Sequence, residues 1–164
     1  MSVQFAFHYV PAGQCPAAEV ASSHFLSLFN CDPQLLQKWN LWPGFVREYR
    51  ENSRGFQEWM ETQSDADWEQ FLHMENPAGE GEMYWASSPF TPAQARNWAQ
   101  TWTEVLARLD EEEIRTAFPL DIDPRTGASR FDSGAIGREL QMLISQCDCA
   151  LQNELQMTVD MTLN

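Results

Sequence analysis

Leu155-Gln156-Met157-Thr158-Val159-Asp160-Met161-Thr162-Leu163 sets an apolar side chain against a polar one along its whole length. Successive side chains of a strand point to opposite faces, so this period of two predicts a terminal strand with one apolar face. Val3, Phe5, Phe7 and Tyr9, alternating with Gln4, Ala6 and His8, predict a second strand at the other end, stopped by Pro11 and Gly13. Between these ends the period becomes helical. Ala17, Val20, Ala21, His24, Phe25, Leu28 and Phe29 predict a helix from about Pro16 to Phe29. Asp32-Pro33 reads as an N-cap followed by proline at the first helical position, opening a short helix with Leu35, Leu36 and Trp39. Beyond Pro43, two helical pieces are expected around Phe45, Val46 and Tyr49 and around Phe56, Trp59 and Met60, then a capped turn at Ser64 or Asp65 with Trp68, Phe71 and Leu72.

Residues 74–90 read as an acidic loop that is extended in part. Thr91-Pro92-Ala93-Gln94 is a strong helix start, with Thr91 as cap and Gln94 placed to reach back to it. Ala95, Trp98, Ala99, Trp102, Val105, Leu106 and Leu109 continue that helix as one stripe. Asp110 to Phe118 predicts a short helix whose first turn holds Glu111, Glu112 and Glu113, where carboxylates suit the helix dipole. Pro119 to Arg130 is a loop. The last helix begins at Ser133 and aligns Ile136, Leu140, Leu143, Ile144, Cys147 and Leu151. With no linker and no repeat, residues 1–164 read as one helix-rich α+β domain. It is expected to hold a small sheet containing the N- and C-terminal strands, covered by helices.

The chain carries 10 basic and 24 acidic residues, a formal charge of −14. Residues 61–113 hold twelve acids against Arg96 and Arg108 alone, so most of the charge lies there. Trp68, Trp85, Trp98 and Trp102 share that stretch, and Trp59 precedes it. Seven Trp and ten Phe exclude a disordered acidic tail. Neutralising phosphates needs a basic patch, which excludes nucleic acid as a direct partner. Anionic lipid repels such a chain, and no run approaches eighteen apolar residues, so no membrane partner is expected. The N-terminus has neither a basic region nor a long apolar one, so it does not read as a signal peptide. The chain is expected in the cytoplasm, with Cys15, Cys31, Cys147 and Cys149 as reduced thiols. Cys147 and Cys149 lie about 200° apart on a helix and do not share a face.

No phosphate-binding glycine loop, nucleophile elbow or zinc-protease helix is present, and no catalytic residue, cofactor or metal is expected. His24 reads as a satisfied core or boundary histidine, and its pairing with Cys31 as a nucleophile lacks any local signature. Asp121-Ile122-Asp123-Pro124-Arg125-Thr126-Gly127 opens like a calcium loop. It departs from one at Arg125, at Thr126 and at Asp132, which is too short for the closing glutamate.

Phe90-Thr91-Pro92-Ala93-Gln94-Ala95, followed by Leu106-Ala107-Arg108-Leu109-Asp110-Glu111-Glu112-Glu113-Ile114-Arg115, resembles the second half of the YfbM-like family of bacterial proteins of unknown function. The likeness covers roughly residues 84–164. The Trp-His-x-Leu-His stretch typical of that family is absent here, so no histidine role carries over. The resemblance implies an α+β fold without an established enzyme activity. Small acidic proteins of this kind, relatives of the family included, often serve as immunity proteins beside secreted toxins. The expectation is therefore an inhibitor that binds a basic toxin domain and occludes its active site. Its contact surface is assigned to Glu75, Glu80, Glu82, Tyr84 and Trp85, with Asp110, Glu111, Glu112 and Glu113 as a second patch. The alternative is a small enzyme, or a carbohydrate- or small-molecule-binding protein, with a carboxylate-lined site.

Overall fold

A computed structural model describes residues 3–10, 15, 19–22, 24–47, 50–51, 83–86 and 91–163. For residues 3–10, 19–21, 83–86 and 156–163 it describes the backbone alone. Among the described residues the helices are α1 (Phe25–Phe29), α2 (Pro33–Lys38), α3 (Pro92–Leu106), α4 (Glu111–Ala117) and α5 (Ser133–Gln152), with a further helical turn over 44–47.

α3 begins where the sequence places it. Thr91 Oγ1 accepts from the Gln94 amide at 3.1 Å, and Gln94 Oε1 accepts from the Thr91 amide at 2.9 Å. These bonds satisfy two groups that a bare helix end leaves open. The stripe then buries Ala95, Trp98, Ala99, Trp102 and Val105. Trp98 meets Phe25, Phe29 and Phe45 with ring centroids 5.5–5.7 Å apart. One turn on, Trp102 meets Trp39 at 6.2 Å and Phe118 at 5.9 Å, and Phe118 stacks on Phe131 at 4.0 Å. Each ring buries on the order of 150–250 Å², or about 4–6 kcal/mol of transfer energy at ~25 cal/mol per Å². The Trp102 indole N–H finds no acceptor among the described residues, a local cost of about 1–3 kcal/mol that this burial exceeds.

α5 lies antiparallel to α3. Arg96 Nε pairs with Asp148 Oδ1 at 2.6 Å near one end, and Gln141 Nε2 donates to Thr103 Oγ1 at 3.5 Å towards the other. Asp132 caps α5 by accepting from the Ala135 amide at 2.9 Å. Ile136, Leu140, Leu143, Cys147 and Ala150 form its buried stripe, whereas Leu151 is 44% exposed. The expected stripe ran one residue too far round the helix: Ala150 takes the inward position assigned to Leu151. α2 and α5 both stop in the same way. Asn40 (φ 58°) and Glu154 (φ 52°) take left-handed backbone, and the next residue donates back across the turn, Leu41 to Leu36 O and Leu155 to Ala150 O.

Two expectations are corrected here. The helix from Pro16 to Phe29 is much shorter. Glu19–Ser22 is extended, and the Ser22 hydroxyl accepts from the His24 and Phe25 amides at 3.1 and 3.3 Å, so the helix starts at Phe25. β-Branched Val20 and the local hydroxyl favour that break over a continuous helix. The second correction concerns fold class. Backbone pairing aligns β1 (Val3–Val10), β2 (Glu19–Ser22), β3 (Met83–Ala86) and β4 (Gln156–Leu163) antiparallel in the order β2-β1-β4-β3, with Phe5 opposite Met161 and Phe7 opposite Val159. The part of the chain described to its side chains, however, is 67% helical and contains no strand. Among the residues described to their side chains the core is helix on helix, because α3 turns its stripe onto α5, α1 and the aromatic residues around Trp98 and Trp102. The α+β class is withdrawn in favour of a helical one. The pieces expected around Phe56, Trp59, Met60, Trp68, Phe71 and Leu72 lie outside the described residues.

The expectation of four free thiols is also overturned. Cys15 and Cys149 form a disulfide, their Cα atoms 6.0 Å apart across 134 residues of sequence. Closing so long a loop restricts the unfolded chain and contributes on the order of 2–5 kcal/mol. Cys31 and Cys147 are buried and lie outside the disulfide.

Two substitutions test this description by urea unfolding. Trp102→Ala is expected to lower stability by about 3–5 kcal/mol through the cavity it opens. Glu154→Gly is expected to raise stability by about 1 kcal/mol, because glycine takes the left-handed backbone without a Cβ clash.

Candidate functional site

The acidic patch at the start of α4 is built by its own cap. Asp110 Oδ1 accepts from the Glu113 amide at 2.8 Å, and Glu113 Oε1 accepts from the Asp110 amide at 3.4 Å. This reciprocal pair holds two carboxylates in place at the positive end of the helix dipole, where negative charge is stabilised. Glu111 and Glu112 stand beside them, exposed, and neither carboxylate is engaged among the described residues.

α2 faces α4 in the opposite sense. The Asp32 amide donates to Ala117 O at 3.0 Å, joining the start of α2 to the end of α4. The end of α2 therefore meets the start of α4. Asp32 caps α2 by accepting from the Gln34 and Leu35 amides at 2.9 and 3.2 Å, which sets the helix's rotation. Between the two helices lies a cleft of about 340 Å³ lined by Leu35, Lys38, Trp39, Asp110, Glu112, Glu113 and Thr116. Leu35 and Trp39 are half-buried and give it an apolar floor, and Trp39 leans on Trp102 in the core. Three carboxylates and one ammonium form the rim, leaving an excess of two negative charges.

Asp110, Glu112 and Glu113 of the expected contact surface are thus brought together with an aromatic floor, whereas Glu111 lies beside the cleft without lining it. Tyr84 and Trp85 lie on β3, where only the backbone is described, and Glu75, Glu80 and Glu82 lie outside the described residues. Leu35, Lys38, Trp39 and Thr116 were not anticipated. Their signal was present as spacing, since 35, 38 and 39 share one face of α2 and 112, 113 and 116 one face of α4. The missing information was that these two faces oppose each other.

Other groups that suggest chemistry are committed elsewhere. Ser22, His24 and Glu139 lie together, but in the wrong order for a nucleophile: Ser22 Oγ donates to Glu139 Oε2, and His24 Nδ1 lies 2.9 Å from Glu139 Oε1. The Ser22 hydroxyl also accepts two amides and is 2% exposed, so its bonding capacity is taken up by the start of α1. Burial pushes the Cys31 and Cys147 thiols up to about 12, where they are not nucleophiles. In the 121–132 loop each carboxylate has its own task. Asp121 Oδ1 accepts from the Ser27 hydroxyl at 3.1 Å, Asp123 Oδ2 pairs with Arg130 at 2.8 Å, and Asp132 caps α5. No group of three metal-ligating side chains occurs among the described residues. No helix among them is long and apolar enough to cross a membrane.

No family model matches the chain, and no curated protein or solved structure matches it. The likeness of residues 84–164 to the YfbM-like family therefore rests on the capping and stripe residues alone.

The loop gives a pH test. Burial raises the Asp121 carboxyl above its ordinary value, with the Ser27 bond opposing the shift. A raised carboxylate binds its proton more tightly in the fold. Its contribution is therefore most favourable below the unfolded value of ~3.9 and declines as pH rises through the folded value. Asp123 has the opposite sign, because the Arg130 bond holds it low. Urea unfolding between pH 3.5 and 7 is expected to show Asp121→Asn gaining on the native chain as pH rises. A difference that stays constant with pH would contradict the assignment.

Proposed function

We propose that this protein is an inhibitor of the immunity type, which binds a basic toxin domain and blocks its active site. The cleft between α2 and α4 takes a cationic side chain of that domain. The observation that carries this reading is the set of three carboxylates around the Leu35 and Trp39 floor. A guanidinium or ammonium group carries its charge on an apolar stem. It therefore suits a site whose floor is aromatic and whose rim is acidic. The −14 charge speeds encounter with a basic partner from a distance, and a buried aromatic contact then holds the complex. Glu111, Glu112 and Glu113 are exposed at one helix start, so they meet the partner with little rearrangement. The cytoplasmic site of action expected from the sequence is retained in this proposal, with the Cys15–Cys149 bond making it depend on the local reductant.

The test is co-expression with a basic toxin domain encoded beside this chain, followed by titration calorimetry of the purified pair. The expected outcome is protection of the cells and a nanomolar complex that weakens with salt. Trp39→Ala is expected to weaken binding by about 2 kcal/mol, as a central aromatic anchor does. The Glu112→Lys, Glu113→Lys variant is expected to slow association more than tenfold at low salt. Neither protection nor a complex would reject the proposal.

A further inference from the structure

Among the described residues, three side-chain contacts tie β2 and its flanks to α5. Ahead of β2, Cys15 is bonded to Cys149. At its end, Ser22 donates to Glu139 Oε2, and His24 Nδ1 meets Glu139 Oε1 at 2.9 Å. Glu139 and Cys149 both belong to α5 and are separated by roughly 15 Å along its axis. Cys15 and the Ser22–His24 end of β2 are therefore tied to α5 at two points along its axis. Among the described residues, β2 is an edge strand paired with β1.

We infer that the Cys15–Cys149 bond is a redox latch: a dithiol reductant frees the Cys15 side of β2 from α5, and an oxidant seats it again, while the helical core stays folded. A reductant thiolate attacks Cys149 Sγ, on the more exposed of the two residues, and forms a mixed disulfide with it. The electron pair of the broken S–S bond leaves with the Cys15 sulfur, which takes up a proton. The second thiol of the reductant then displaces Cys149 as a thiolate, which is protonated in turn. Two electrons and two protons have reached the protein, and the reductant departs as its own disulfide. Asn153 Nδ2 lies 3.5 Å from Cys149 Sγ and donates to the sulfur as it leaves.

Two features make the latch reversible. Cys31 and Cys147 are fully buried and held as thiols, so neither intercepts the disulfide. Cys147 also points to another side of α5 from Cys149, about 200° round the helix. One feature keeps the opening local: the Ser22–Glu139–His24 set remains to hold the far end of β2.

The test is hydrogen exchange on the full chain, oxidised and then reduced with dithiothreitol, with peptide mapping of the thiols. Reduction is expected to lower protection of the Glu19–Ser22 amides more than tenfold and to leave α3 and α5 within twofold. Reoxidation is expected to restore both the protection and the Cys15–Cys149 pair alone. Cys149→Ser is expected to behave as the reduced protein and to ignore dithiothreitol. If that variant does not fold, the native titration still decides. Loss of protection throughout, unchanged protection at Glu19–Ser22, or pairing through Cys31 or Cys147 would each overturn the proposal.

Discussion

Trp98 and Trp102 stand one helical turn apart on α3, and that spacing organises the rest of the described structure. A turn of 3.6 residues puts both indoles on one face, so each becomes the centre of its own aromatic cluster. Trp98 gathers α1 and the 44–47 turn through Phe25, Phe29 and Phe45. Trp102 gathers the end of α2 through Trp39 and the end of α4 through Phe118. α5 then closes the remaining side of α3. Neither indole can change size without moving several elements, because interiors packed this closely transmit strain.

The cleft follows from that arrangement. Trp102 holds Trp39 and Phe118 at fixed separations, and the Asp32–Ala117 backbone bond sets the sense of the two short helices. Helices as short as α2 and α4 are not stable alone. Their capping residues and their contacts with Trp102 determine where they begin and how they are turned. The carboxylates on the rim are thus structural and accessible at once: Asp110 and Glu113 cap a helix, and their neighbours remain exposed to a partner.

Capping was the most legible information in the sequence. Asp32-Pro33 and Thr91-Pro92-Ala93-Gln94 each satisfy local backbone groups, and each cap forms as the residues dictate. The stripe of α3 was legible for the same reason, since its period is local. Val20 and Ala21 misled because they fit a helical period that continues into Phe25, while the Ser22 hydroxyl ends it. The fold class was misread because alternation at two chain ends shows which faces are apolar but not what covers them. Cys15 and Cys149 gave no signal because a pairing across 134 residues leaves no mark on local spacing. Half of the cleft was visible as an acidic helix start. The other half, Leu35 and Trp39, reads in the sequence only as part of a short helix, because its partner across the gap is far away in sequence.

The Cys15–Cys149 bond also changes the connectivity of the molecule as an object that can be cut or pulled. Residues 15–149 form a covalent ring. A protease that cuts once anywhere within that ring opens it without separating two fragments. An unfolding machine that grips the chain outside the ring reaches a point where it must draw two strands of chain through its pore together. Turnover of the oxidised protein is therefore governed by thiol chemistry as well as by the stability of its core.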